Sequence, residues 1–440
     1  MLILGEILVD YTLATKSTPC KLRLGGLVHA ARGLWANDIE YSAAVICPTY
    51  LQQEISEYLY KHGCSEVIFI GKVEGSPNII SFSDPREIGH QGYEELLREK
   101  KQVHLYQNIK EKLTTFKEVV VFPGKFELGK IKSFFAKDTM FSIDIAYDLE
   151  SIDCLGLFKG QLRALFLSTS SELFLRSGKE SLSPLIKEIT ALSAEAFIFK
   201  ENRGGSRLFD FTIDREICIP AFLAKTENSV GVGDVYSAVT VFKKTLQKIS
   251  WEDAAWFGVL SATEYSKTTF PDDFKLNVTR SNAVSLKDHK SLAGVTLPWH
   301  DRPNYNIYLA APDFSYVDRQ ILDQVIASLE YHNFNLRRPI KENGELNEQS
   351  SDHNRKLVYL NDCQLIDECD LIFAVPIFKD PGTLVEIGMA IAKSKPVITY
   401  DPLCENDNNM VIQGSDHYSR DMDECLNKLF SILSTLREEK

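Results

Sequence analysis

The chain has 440 residues, enough for two ordinary domains each with its own core, and its 44% hydrophobic and 25% charged residues suit a folded globular protein. A formal net charge of -12 argues against non-specific binding to a phosphate backbone, while leaving room for small phosphorylated ligands at a local anion site. No apolar run approaches a membrane span, and the nine cysteines are scattered, with Cys363/Cys369 and every other pair off the CxxC spacing; reduced structural thiols are expected, with no disulfide framework and no metal site.

At the start, Met1-Leu2-Ile3-Leu4-Gly5 lacks a basic region followed by a signal-length apolar core, so a cytoplasmic location is expected. Gly5-Glu6-Ile7-Leu8-Val9-Asp10 reads as a first strand, and Gly25-Gly26 precedes an Ala-rich helix. Strand-like runs at Glu118 to Phe122, Ala164 to Leu167 and Ala196 to Phe199 alternate with amphipathic helical runs, which predicts α/β layering. The stretch Asn228-Ser229-Val230-Gly231-Val232-Gly233-Asp234 then opens a helix. Two glycines at that place let backbone N–H groups face a phosphate, and Asp234 can take the proton of an attacking hydroxyl. From Asn282 to Asn304 the rhythm is lost and Gly294, Pro298 and Pro303 accumulate, so 286–304 is assigned to a linker between domains 1–285 and 305–440.

Beyond the linker, Ile307 to Ala311 is a short apolar strand, and Asp318 to Leu329 carries Ile321, Val325 and Leu329 on one helical face. A second helix around Lys356 to Glu368 leads to a strand at Leu371, and a third to Pro396-Val397-Ile398-Thr399-Tyr400, which predicts a small, flavodoxin-like parallel sheet. The most telling run is Leu371 to Val375 followed by Asp380-Pro381-Gly382-Thr383-Leu384-Val385-Glu386. An apolar strand there empties into a Gly-containing turn that sets two carboxylates at the mouth of a helix, the place where open α/β sheets bind ligands. A tight turn at Gly382-Thr383 is expected to let a ligand approach the backbone.

The spacing Asp-x-Gly-Thr-x-x-Glu-x-Gly resembles the signature of nucleoside 2-deoxyribosyltransferases. The resemblance implies that Glu386 is the nucleophile that attacks the anomeric carbon. It also implies that Tyr308 stands near that nucleophile, that Asp362 lies beside the nucleobase, and that Asp380, with Gly382 and Thr383, contacts substrate. Phe314 would belong to a base-covering loop followed by Arg319-Gln320, and Asn409-Met410 would reach into a neighbouring subunit's pocket, so a homo-oligomer is implied. This domain needs no cofactor.

Residues 1 to about 285 resemble the ribokinase-like (PfkB-type) family of carbohydrate and nucleoside kinases. The resemblance implies an α/β domain with a small lid, to which Ser81 to Arg86 would belong. It makes Gly231 to Gly233 an anion hole, Asp234 the base, Asp10 a ligand of sugar hydroxyls, and ATP with Mg2+ the cofactors. Asp144 and Glu172 fall at family positions near metal and phosphate, and Asn202-Arg203-Gly204-Gly205 near the nucleotide. The sequence departs from the family at His29 or Ala30, at Thr169 and at Asn228-Ser229-Val230.

These features imply an enzyme acting on nucleosides, nucleobases or nucleotides, with no nucleic-acid or membrane partner. One reading is a salvage enzyme that exchanges bases on 2-deoxyribose and phosphorylates a sugar or nucleoside. In another, water intercepts the glycosyl ester of a nucleoside 5′-monophosphate or NAD, as in clean-up or a toxic effector, with Arg337, Arg338 and Lys341 as candidates for a phosphate site. In a third, the kinase-like domain is a catalytically dead sensor or oligomerisation scaffold.

Overall fold

The computed structural model describes residues 1–15, 19–145, 149 and 151–439. The chain divides into two compact units, Met1–Glu87 with Gln91–Thr296, and Leu297–Lys440 with Ile88–His90. The division falls inside 286–304. That stretch has local structure despite its broken periodicity: Leu286–Lys290 form a short helix capped by Ser285, and Val295 pairs with Ala221.

In the N-terminal unit one sheet runs in the order Arg215–Ile219, Ser206–Asp210, Ala196–Lys200, Leu162–Ser168, Met140–Ile145, Glu118–Val121, Leu2–Thr12, Tyr41–Cys47, Cys64–Glu74, Gln102–Leu105. From Ala196–Lys200 to Cys64–Glu74 every neighbouring pair is parallel. Parallel strands are covered on both faces, which is why Leu2 to Leu4, Val119 to Val121 and Leu165 to Leu167 are continuous apolar runs and all buried. The helices Leu27–Ala36, Val232–Gln247 and Trp251–Ser266 contribute to one core with these strands through Val28, Leu34, Ala238, Phe242, Trp251 and Ala255.

The strand Leu2–Thr12 outruns the large sheet. Its second half pairs antiparallel with Lys21–Gly26 and parallel with Ile79–Phe82, which in turn pairs with Glu94–Glu95. This forms a second, smaller sheet, and of the segment Ser81 to Arg86 expected in a lid, Ser81 and Phe82 lie in it.

The C-terminal unit has five parallel strands in the order Asn335–Arg337, Asn306–Ala310, Leu371–Ala374, Val397–Tyr400, His417–Ser419. In chain order this is 2-1-3-4-5, the flavodoxin-like arrangement, whose switch point lies between the first and third strands. Helices Gln320–Tyr331, Asp352–Glu368, Pro381–Ala392 and Met422–Glu439 connect or follow the strands. The core beneath the switch point holds Tyr308, Ala310, Ile366, Ile372, Ala374, Ile387 and Val397.

Candidate active site of the C-terminal unit and the N-terminal glycine loop

Glu386 lies in the second turn of the helix Pro381–Ala392, which follows the third strand of the C-terminal sheet. Tyr308, in the middle of the first strand and fully buried, donates its hydroxyl to Glu386 Oε1 at 2.6 Å. The tyrosine therefore serves as a core aromatic and as a fixed donor to the carboxylate. Burial pushes the Glu386 carboxyl up to about 8; the Tyr308 hydrogen bond opposes that rise, and the charges of Asp362 and Asp380 add to it. Asp362 is also raised from its ordinary value by burial, against a hydrogen bond from Asn343.

Glu386, Asp362 and Gly382 line one cavity of about 340 Å³ with Tyr359, Cys363, Pro381, Val385 and Met389. Phe314 and Asp380 line a second, of about 350 Å³, with Tyr316, Phe378 and Pro381. The rings of Phe314 and Tyr316 stack with centroids 5.3 Å apart. Pro381 is common to both cavities; each is lined by two carboxylates, Asp362 and Glu386 in the first and Asp318 and Asp380 in the second, whose walls also carry Phe314, Tyr316 and Phe378, and each is of a size suited to a small molecule.

The turn expected at Gly382-Thr383 is not there. Pro381 occupies the first helical position and Gly382 and Thr383 the next two; Asp380 Oδ2 accepts from Thr383 N at 2.7 Å and from Thr383 Oγ1 at 2.8 Å. Thr383 is thereby a buried capping partner of Asp380, in an N-cap arrangement typically worth about 1 kcal/mol. The sharp reversal lies upstream at Phe378 and Lys379, with φ of 58° and 51°.

Arg319, expected near substrate, is bonded to Asp313 and, at 3.0 Å, to Asp323. Asp313 is 6% exposed and also takes Arg338 at 2.7 Å, so it clamps two arginines behind the Phe314 loop. Arg337 is held by both oxygens of Glu342 at 3.0 Å and lies 3.6 Å from Glu368. Asn409 opens the short helix Asn409–Gly414, is exposed, and belongs to neither cavity lining; Met410 beside it is 78% exposed. Sequence reasoning missed Asp313, Asn343, Cys363 and Phe378. Of these, Asn343, ahead of Gly344, and Asp313, after Pro312, stood beside loop signals.

In the N-terminal unit Asp10 is buried and engaged twice, by His29 Nε2 at 3.0 Å and Arg23 Nε at 3.2 Å. His29 Nδ1 lies 2.7 Å from the Tyr265 hydroxyl, which also accepts from Arg32 Nη1 at 3.1 Å. Burial pulls His29 down to about 4 despite the adjacent Asp10 carboxylate, so the imidazole is neutral, donates to Asp10 and accepts from Tyr265. Asp10, read as a ligand of sugar hydroxyls, is thus satisfied from within the chain.

Gly231, at φ 84°, caps the helix Val232–Gln247. Lys200 Nζ sits at this helix start, bonded to Asp144 at 2.9 and 2.7 Å and to Ser237 Oγ at 3.2 Å. Burial and the neighbouring Asp144 raise the Asp234 carboxyl, with Lys200 opposing. Glu172 is an exposed first-turn residue paired with Arg176 at 2.9 Å.

The segment before the two glycines and the turn expected near the nucleotide are held by Pro85, Glu87 and Gln91 of the same unit. Ser229 N and Oγ donate to Pro85 O at 2.6 and 3.1 Å, Gln91 Nε2 donates to Ser229 Oγ at 2.8 Å, and Asn202 Nδ2 donates to Glu87 at 3.1 Å. The positive charge beside Asp144 is supplied by Lys200, and Ser229, two residues before Gly231, is tied to Pro85.

Among the described residues no group of three or more His, Cys, Asp or Glu side chains is placed to hold a metal ion, and no helix is long and apolar enough to cross a membrane.

Residues 307–422 match the family model of nucleoside 2-deoxyribosyltransferases. No curated protein matches the chain. Among solved structures it is similar to the ribokinase of Thermotoga maritima, at 13% identity over 64% of this chain and 99% of that one, with a TM-score of 0.45. It is similar to the nucleoside kinase of Methanocaldococcus jannaschii at 14% identity, over 63% and 98% of the two chains, with a TM-score of 0.43. It is also similar to the ribokinase of Arabidopsis thaliana solved with ribose and ATP, at 12% identity, over 64% and 98%, with a TM-score of 0.46.

Proposed function

We propose that the C-terminal unit moves a 2-deoxyribosyl group between nucleobases through an ester on Glu386. The observation that carries this reading is the 2.6 Å bond from the buried Tyr308 hydroxyl to Glu386, in a cavity shared with Asp362. A Glu386 oxygen attacks the anomeric carbon as the bond to the base nitrogen breaks, and the departing base takes its electron pair and a proton from Asp362. An incoming base then attacks the same carbon, releases Glu386 as a carboxylate and returns its N–H proton to Asp362. The two half-reactions balance with no added reagent, by the logic of retaining glycosyl transfer.

Arg337 and Arg338 are committed to Glu342, Glu368 and Asp313, which favours a nucleoside over a 5′-monophosphate as substrate. The deciding experiment incubates the protein with a deoxynucleoside and a different free base and separates the products. Exchanged nucleoside is the expected result; accumulation of free 2-deoxyribose instead would assign a hydrolase.

A homo-oligomer completes this site in the same reading, a second copy lending Asn409. Leu357, Tyr359, Leu360, Val385, Ile391 and Met410 are all exposed, more apolar surface than a monomer of this unit needs. Sedimentation is expected to find a dimer or larger species that Met410→Glu weakens; a monomeric wild type at micromolar concentration contradicts it.

For the N-terminal unit, the Lys200–Asp144 pair and the Pro85–Ser229 bonds favour a sensor or scaffold that transfers no phosphate. The full chain is expected to show no ATP turnover with sugars or nucleosides. Turnover that Asp234→Ala abolishes would restore the kinase reading.

A further inference from the structure

We propose that Asn343 is a positioning residue of the glycosyl-transfer site, fixing which oxygen of Asp362 faces the base and carries the exchanged proton. The inference rests on the proposed glycosyl transfer and deepens it. Asn343 Nδ2 donates to Asp362 Oδ1 at 2.7 Å. Asp362 projects from the helix Asp352–Glu368, most of whose residues are exposed, and its half-buried carboxyl lines the Glu386 cavity. The terminal torsion of an aspartate is broad and two-fold, so packing alone does not decide which oxygen points inward. A bond to Oδ1 removes that ambiguity and leaves Oδ2 for the base.

The chemistry of the donor matters as much as its place. A lysine or arginine at this position would hold Asp362 ionised. A neutral amide tolerates both states: Oδ1 remains an acceptor from Asn343 while Oδ2 gains or loses the proton. The amide is itself well braced. Asn343 ends the short helix Pro339–Asn343, after which Gly344 turns the chain at φ 88°. Its neighbour Glu342 is held by Arg337 at 2.8 Å and by Arg338 N at 3.0 Å, and Arg337 also reaches Glu368 on the helix that carries Asp362. The basic cluster that looked in sequence like a phosphate site thus ties the Asn343 helix to the Asp362 helix.

The test uses the full chain and a series of 2-deoxyribosides whose leaving groups range from poor bases to 4-nitrophenolate, which departs without a proton. Asn343→Leu is expected to lower kcat about tenfold for deoxynucleosides, with KM within about twofold, and to leave the nitrophenyl donor at the wild-type rate. The dependence of rate on leaving-group basicity should therefore steepen. Asn343→Ala, which also lacks the donor and adds no charge beside Asp362, should do the same, and its melting midpoint reports whether the fold is kept. An equal fall across the series, or no fall, overturns the assignment. Wild type that cleaves none of the donors overturns the glycosyl reading itself, a separate result because it does not depend on the variants.

Discussion

Glu386→Gln is expected to lower base exchange by roughly 10⁴-fold without loosening the fold. The substitution keeps the size of the side chain and an oxygen able to accept the Tyr308 hydrogen bond, so the 2.6 Å contact has a replacement. What it removes is the electron pair that forms the ester, because an amide oxygen is too weak a nucleophile to capture an oxocarbenium-like centre. The melting midpoint should stay level or rise, since a half-buried carboxyl with nearby Asp362 and Asp380 is a strained arrangement kept for chemistry. Brief incubation of wild type with a deoxynucleoside and no acceptor should add one deoxyribosyl group to the protein by mass, on a peptide containing Glu386. Full activity in Glu386→Gln, or label on another residue, removes Glu386 as nucleophile.

The pH dependence follows from the same geometry. The reactive state needs Glu386 as the carboxylate and Asp362 as the acid, so kcat/KM should rise and then fall with pH; burial pushes Glu386 up to about 8, which leaves about a tenth of that carboxyl ionised at pH 7. Tyr308→Phe removes a hydrogen bond that favours the ionised form. The rising limb should then move to higher pH, and each unit of movement takes roughly another factor of ten from the ionised fraction at neutrality. A flat profile between pH 5 and 9 contradicts this assignment of the reactive form.

Much of this site was legible because its parts are local. Leu371 to Val375 is an apolar run, and Pro381 with an N-cap Asp380 announces the helix that carries Glu386. The turn was misplaced because Phe378 and Lys379 adopt positive φ without belonging to the residue types that signal it. The strands Asn335–Arg337 and His417–Ser419 are three residues long at the sheet edges and carry too few apolar side chains to show alternation. The roles of Arg337, Arg338 and Arg319 depend on Asp313, Glu342 and Glu368, which folding rather than sequence proximity brings together. In the N-terminal half the alternation of strand-like and helical runs was readable, as at Glu118 to Phe122, Ala164 to Leu167 and Ala196 to Phe199. That Asp10 and Asp144 are satisfied by His29, Arg23 and Lys200 was not, since each of those bonds spans separate elements.

Gly231→Ala is expected to destabilise the N-terminal unit by about 3 kcal/mol or more, even if the unit transfers no phosphate. Two costs add. At φ 84° a residue with a Cβ is in the left-handed region, at roughly 1–2 kcal/mol. The new Cβ would also lie 2.1 Å from His29 Cγ, well inside contact distance, so the ring must move. The ring has little freedom, because it is bonded to Asp10 at 3.0 Å and Tyr265 at 2.7 Å, and disturbing either leaves a buried polar group short of a partner at about 1–3 kcal/mol. Urea unfolding followed by tryptophan fluorescence reports mainly on this unit, which holds Trp35, Trp251 and Trp256. A double-mutant cycle separates the costs: on a His29→Ala background the overlap disappears and Gly231→Ala should cost only the backbone part. Equal losses on both backgrounds would mean that His29 does not press on the loop. If the coupling appears, Gly231 is required by the packing of a buried histidine, and a Gly-x-Gly-Asp sequence at this helix start is accounted for without a phosphate.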